Sequence, residues 1–214
     1  MKKTISALVV AASVAFAPSA HAQFALDLRL AYAIPMGDAF ISDGVNQALS
    51  DTISGALPIG IDARYKFTPN LSAGVYFQYS PAFVKSSSCE PGTSCSASNV
   101  RLGIEAVYGF MPDAGFNPWV SLGTGWEWAT FKQSAGGLDV SATLDGWEYF
   151  NVQLGGDFAL SKMFSLGPYV GFSGGSFSTV SASVSGTSAS ASIPSGDRTF
   201  HSWFQFGVKG SLNL

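Results

Sequence analysis

The chain has 214 residues, 47% of them hydrophobic and only 12% charged, with 11 Lys and Arg against 14 Asp and Glu. A soluble domain of this size carries about twice that share of charge, so a fully solvated surface is excluded. The formal net charge of -3 excludes a nucleic-acid partner as well.

The first 22 residues read as a cleaved export leader: Lys2 and Lys3, an apolar run from Ile5 to Ala17, then the small-x-small site Ala20-His21-Ala22 ahead of Gln23. Losing them removes two lysines and leaves 9 basic and 14 acidic residues, a charge of -5. Residues 23–214 are then a single domain. No later stretch approaches the roughly 18 to 20 continuous apolar residues of a spanning helix, so any crossing of a membrane must use strands.

The next segment has the pattern that recurs through the chain. Phe24, Leu26, Leu28, Leu30, Tyr32 and Ile34 alternate with Ala25, Asp27, Arg29, Ala31 and Ala33, which places bulky apolar residues on one face of a strand and small or charged ones on the other. Seven more such segments follow, giving predicted strands at 24–35, 58–67, 71–83, 99–111, 118–132, 147–160, 164–179 and 201–213. Each is long enough to span an apolar band of about 25 Å at the usual tilt. The connections alternate: long at 37–57, short at 68–70, long at 85–98, short at 112–117, long at 134–146, short at 161–163 and long at 180–200. Three tight turns on one side and four long loops on the other predict an all-β fold, an eight-stranded antiparallel up-and-down transmembrane barrel.

In the first long loop Asp43 is placed to cap a short helix bearing Val45, Leu49 and Ile53. In the second, Cys89 and Cys95 reach an oxidising compartment on export and are expected to form a disulfide, worth about 2 to 3 kcal/mol in the chain-entropy model. The fourth, from Ser181 to Ser192, alternates small polar and apolar residues around Gly186, and reads as a hairpin rising above the membrane or as a mobile serine-rich tract.

A soluble barrel with the apolar face inside is the rival reading, and volume argues against it. Eight strands enclose a space just wide enough for side chains or one small ligand, and the apolar face includes Phe24, Tyr32, Phe67, Phe77, Tyr79, Tyr108, Trp126, Trp128, Phe158, Phe172, Phe204 and Phe206. The opposite face holds glycines and ten charges: Asp27, Asp62, Glu105, Glu127 and Asp157 against Arg29, Arg64, Lys66, Arg101 and Lys209. Strand adjacency pairs Asp27 with Lys209 and Arg101 with Glu127, while Arg29 and Arg64 are expected to meet Glu105. Ionisable groups in a low-dielectric lumen need such partners. The set reads as a charge-balanced plug ahead of a gate. Trp147, Tyr149 and Trp203 are expected to point inward near the outer rim, as a candidate mouth for an apolar ligand.

Catalysis finds little footing. His201, with Asp197 and Ser202 nearby in sequence, is the only histidine after the leader, and adjacent residues of a strand point to opposite faces. Two cysteines without a histidine or carboxylate cluster lack a metal's ligand count, and the Gly-Gly pairs lack a nucleotide loop's strand-to-helix context. No cofactor and no enzyme activity are expected.

The eight alternating segments and the final run Trp203-Phe204-Gln205-Phe206-Gly207-Val208-Lys209-Gly210-Ser211-Leu212-Asn213-Leu214 resemble the small bacterial outer-membrane barrels of the OmpX, OmpA transmembrane-domain and OmpW type. That last run looks like the C-terminal signal read by the barrel-assembly machinery, departing from it at Leu214, where the family ends in Phe or Trp. The resemblance implies a monomer in the outer membrane, in contact with lipid and lipopolysaccharide. It offers three roles: surface interaction with host or cell-surface molecules or a structural duty; passage of small apolar molecules; or, in some barrels, lipid modification. The first is the expectation here.

Overall fold

The structure, a computed structural model, describes residues 24–89, 92–136, 138–184 and 186–214; the expected leader lies outside them. Among the described residues, besides one 3-10 turn at Ser86–Ser88, eleven strands and one short α-helix follow one another: β1 (Phe24–Ser42), β2 (Val45–Ala48), α1 (Leu49–Thr52), β3 (Ile53–Ala56), β4 (Ile59–Lys66), β5 (Leu71–Val84), β6 (Ser94–Gly109), β7 (Phe116–Ala135), β8 (Leu138–Ala159), β9 (Phe164–Val184), β10 (Thr187–Ser192) and β11 (His201–Asn213). The sheet closes on itself where β1 pairs antiparallel with β11. With β3 and β4 serving as one wall strand broken at residues 57–58, the ring has eight strands. Closure removes the edges that lipid cannot hydrate.

Alternation decides the faces as a barrel in lipid requires. Leu28, Val75, Ile104 and Leu122 are more than half exposed on the outer wall, whereas Arg29, Glu105, Arg101 and Glu127 are buried within. Rings collect at both rims of the exterior. Phe24 packs on Tyr65, Tyr65 on Phe67, Tyr108 on Phe110 and Phe116 on Phe158 at the end with the short turns, and Trp126 meets Trp147 edge-on toward the other. Such belts suit the headgroup level, where a ring can be greasy on one side and wet on the other.

The short turns are held by their own polar side chains. Leu71 N–H donates to Thr68 Oγ1 at 2.9 Å, Met111 N–H to Asn117 Oδ1 at 2.9 Å and Phe164 N–H to Ser161 Oγ at 3.0 Å, the local satisfaction that favours Thr, Asn and Ser in turns.

The long-loop side departs most from the expected boundaries. β1 runs to Ser42 rather than 35, and β7, β8 and β9 continue well past the apolar band. At about 3.3 Å per residue and a tilt near 45°, the 22 residues of β8 rise about 50 Å, roughly twice the height of the band. The expected long loop at 134–146 is in fact a tight hairpin, with Ser134 paired to Asp139, Gln133 to Val140 and the Thr130 and Thr143 hydroxyls 3.0 Å apart. Period-two alternation simply persists through it. Residues 179–184 and 187–192 pair as a hairpin too, β10 lying on β9 from Thr187↔Val184 to Ser192↔Thr179. In the first loop Asp43 caps nothing. It adopts φ 51 beside Gly44 at φ 76, turning β1 back into β2, and α1 begins at Leu49 with no side-chain cap. Cys89 and Cys95 are joined by a disulfide.

Candidate functional site: a filled lumen beneath an apolar cap

The lumen can be followed from the short-turn end upward. It opens there as a polar vestibule of about 550 Å³, lined by Arg64, Lys66, Asn117, Asp157, Lys209 and Asn213 among others. Lys209 Nζ lies 2.9 Å from Asp157 Oδ2 and 3.6 Å from the Trp119 ring centroid, while Trp119 Nε1 donates to Asp157 Oδ1 at 2.8 Å. Lys66 Nζ donates to Asn213 Oδ1 at 2.5 Å.

Above the vestibule β1 and β4 exchange two ion pairs. Arg64 Nη2 sits 2.5 Å from Asp27 Oδ2, its Nη1 donates to Ser72 Oγ at 2.6 Å, and its Nε lies 3.9 Å from Glu105 Oε1. Arg29 pairs with Asp62. Register corrects the expected partners. Asp27 stands opposite Asp62 and Ser211, and Lys209 opposite Arg29, so direct neighbours are alike or neutral; the Asp and Arg side chains of β1 and β4 turn to the diagonal, and Lys209 reaches past β9 to Asp157 on β8. Asp27 thereby takes Arg64 instead of Lys209, and Arg29 takes Asp62 instead of Glu105. Oxygens of Asp27, Asp62 and Glu105 come within 4.8 Å of one another. The two guanidiniums between them supply the counter-charge that such a cluster needs.

A second cluster fills the next level. Arg101 and Glu127 are direct cross-strand partners, with Nη2 3.4 Å from Glu127 Oε1. Arg101 also reaches Glu148 Oε1 at 3.2 Å and donates to Ser173 Oγ at 2.7 Å. Glu127 further accepts from Asn99 and from Trp203 Nε1 at 3.1 Å, and lies 2.9 Å from His201 Nε2. Tyr76 crosses the lumen to donate its hydroxyl to Glu148. Glycine makes that crossing possible: a Cβ on Gly103 or Gly125 would fall 2.5 or 2.6 Å from the Tyr76 ring or its oxygen.

An apolar cap follows. The Phe177 ring stacks on His201 at 4.0 Å and joins Trp203, Ala33, Ala39, Ala56, Leu49 and Ile193 in one buried cluster. Leu49 comes from α1 and Ile193 from the segment after β10, so the first and fourth loops fold inward over the mouth. Beneath them the void among Ala33, Ala56, Gln78, Asn99, Arg101 and Trp203 holds no water-sized sphere.

Glu148 escapes a strict reading of alternation, and a bulge is the reason, whereas Tyr76, Phe177 and His201 keep the inward parity of β5, β9 and β11. Gly123 pairs with Asn151 but Gly125 with Glu148, and on the other side Glu148 pairs with Gly175 but Phe150 with Gly174, so β8 carries an extra residue at 149–150. One extra residue inverts the faces beyond it. Glu148 is turned inside, and Trp147 and Tyr149 outside, where both are about half exposed. The expected three-ring ligand mouth is therefore corrected: Trp203 points inward, and Trp147 and Tyr149 face the lipid side. A similar shift follows higher up, where Asp145 pairs with Thr179 but Gly146 with Phe177, so that β9 carries an extra residue at Ser178, just past the inward Phe177.

This architecture defines a class, the eight-stranded β-barrel of the outer-membrane type, here with a packed lumen. The family model of the autotransporter β-domain matches residues 36–212, and the chain belongs to that family. No curated protein sequence matches it. Among solved structures the chain is similar to Neisserial surface protein A (15% identity, TM-score 0.52, covering 89% of this chain and 97% of that one). It is similar also to the outer membrane protein OprG from Pseudomonas aeruginosa (14%, 0.52, 91% and 98%) and to a major outer membrane protein from Thermus thermophilus (11%, 0.54, 88% and 99%).

Proposed function

We propose that the protein is a monomeric barrel of the bacterial outer membrane, exported by its leader and inserted by the barrel-assembly machinery. Its wall contacts lipid and lipopolysaccharide, and its extended outer loops carry a surface-interaction or structural role. Support comes from the lumen, where ion pairs and hydrogen bonds are spent on one another and the outer mouth is closed by Leu49, Ile193 and Phe177. A barrel with its interior so used presents its accessible chemistry above the membrane. Replacing the tips of β7–β8 and β9–β10 should abolish attachment to cell-surface material and leave liposome swelling unchanged. Swelling by wild-type protein with small solutes, with attachment unaffected by the replacements, would contradict the proposal.

The second reading is passage of small apolar molecules, favoured by the apolar lining of the mouth. It requires Leu49 and Ile193 to swing away. No catalytic role is proposed: His201 spends Nε2 on Glu127, its Nδ1 has no hydrogen-bond partner among the described residues, and no serine hydroxyl there bonds to it.

A further inference from the structure

In the outer extension β10 ends the sheet instead of continuing it, as the four-residue β2 does against β1. The pairings of β10 among the described residues are with β9 alone, and Thr187 through Ser192 are all exposed. Ile193 N–H donates to Ser178 O at 2.8 Å, which fixes the phase of the ladder. Odd-numbered residues bond to β9, and Ser188, Ser190 and Ser192 direct their N–H and C=O groups to the open edge. Proteins usually blunt such an edge with lysine, proline or a bulge. Thr-Ser-Ala-Ser-Ala-Ser has no charge and no proline, and its pairing with β9 runs without a register shift.

We propose that this edge pairs with β10 of a second copy of the same chain held in a facing membrane. The inference rests on the surface-interaction reading of the loops and names the partner. Antiparallel pairing centred on Ser190 sets Ser190 against its own equivalent, Ser188 against Ser192, and Ala189 beside Ala191. Every side chain involved is small and uncharged, so nothing clashes and nothing repels, while about six backbone hydrogen bonds form.

Symmetry decides where the second copy stands. The two-fold axis of an antiparallel pair is perpendicular to the sheet, and here the sheet continues the upright wall of the barrel. That axis therefore lies in the membrane plane and inverts the second barrel. Side-by-side pairing in one membrane would need an axis along the membrane normal, which brings each N–H opposite the same N–H of its mate. The edge thus fits contact between two surfaces, where many weak pairs act together.

The test uses the full chain reconstituted into liposomes with its loops outward, clustering being followed by light scattering. Wild-type vesicles should cluster with one another. Because residue 190 meets itself on the axis, Ser190→Lys vesicles and Ser190→Glu vesicles should each cluster about tenfold more slowly, and a mixture of the two should regain the wild-type rate. The unheated electrophoretic mobility of each variant reports that its barrel is folded. Wild-type vesicles that stay dispersed while still attaching to other surface material would overturn the pairing and leave the surface role standing. Folded Ser190→Lys vesicles clustering at the wild-type rate, or a Lys and Glu mixture that stays dispersed, would overturn it as well.

Discussion

The two ends of the lumen are filled by different means. Near the short turns the interior is ionic, Arg64 with Asp27, Arg29 with Asp62 and Lys209 with Asp157, and it opens into a polar vestibule. Toward the outer mouth it is apolar, with Phe177, Trp203, Leu49 and Ile193 packed over a last polar layer around Glu127. The difference follows from what supplies the atoms. Wall strands alone build the lower half, and on eight strands they project long charged side chains that pair across a narrow space. Returning loops help build the upper half, and their apolar residues have to be buried among themselves. The lower half therefore gives register and rigidity, and the upper half gives closure.

Substitutions sharpen this contrast. The largest effect belongs to the polar layer: Arg101→Met leaves Glu127 and Glu148 buried without their shared cation, and unfolding in denaturant should show a loss of about 3 to 5 kcal/mol. Next comes the cap, where Phe177→Ala removes the ring stacked on His201 and should cost about 3 kcal/mol by the same measurement. Retained stability in that variant would mean that the loops collapse into the space. Removing the disulfide with Cys89→Ser and Cys95→Ser should weaken the second loop by about 2 to 3 kcal/mol, read as faster proteolysis between β5 and β6 with the wall intact. The smallest change is expected at Trp147→Ala, which loses an edge-on contact to Trp126 outside the barrel and should cost about 1 kcal/mol. A cost as large as that of Phe177→Ala would contradict its outward placement.

Much of the wall was legible in the residues, because lipid outside and a narrow interior make every position choose a side. Leu28 against Arg29 and Ile104 against Glu105 are unambiguous for that reason. Partner choice inside was less so. Asp27 stands opposite Asp62 in the register, a fact set by strand stagger that no local pattern encodes, and the diagonal pairs follow from it. The bulge at 149–150 hid the inward Glu148 and reversed Trp147 and Tyr149, since an extra residue leaves alternation intact on each side of it. The loops were hardest to read. Alternation in Asp139-Val140-Ser141-Ala142-Thr143-Leu144 was present but sat beyond the expected apolar band, where strand and loop compositions converge.

Single-channel recording in planar bilayers bears most directly on the filled lumen. The wild-type protein should show no steady open level, because the charge layers fill the interior and the void beneath the cap, among Ala33, Gln78, Asn99, Arg101 and Trp203, is too small for water. A large and persistent conductance from folded protein would show that the Arg101 layer and the Phe177 cap do not close the barrel.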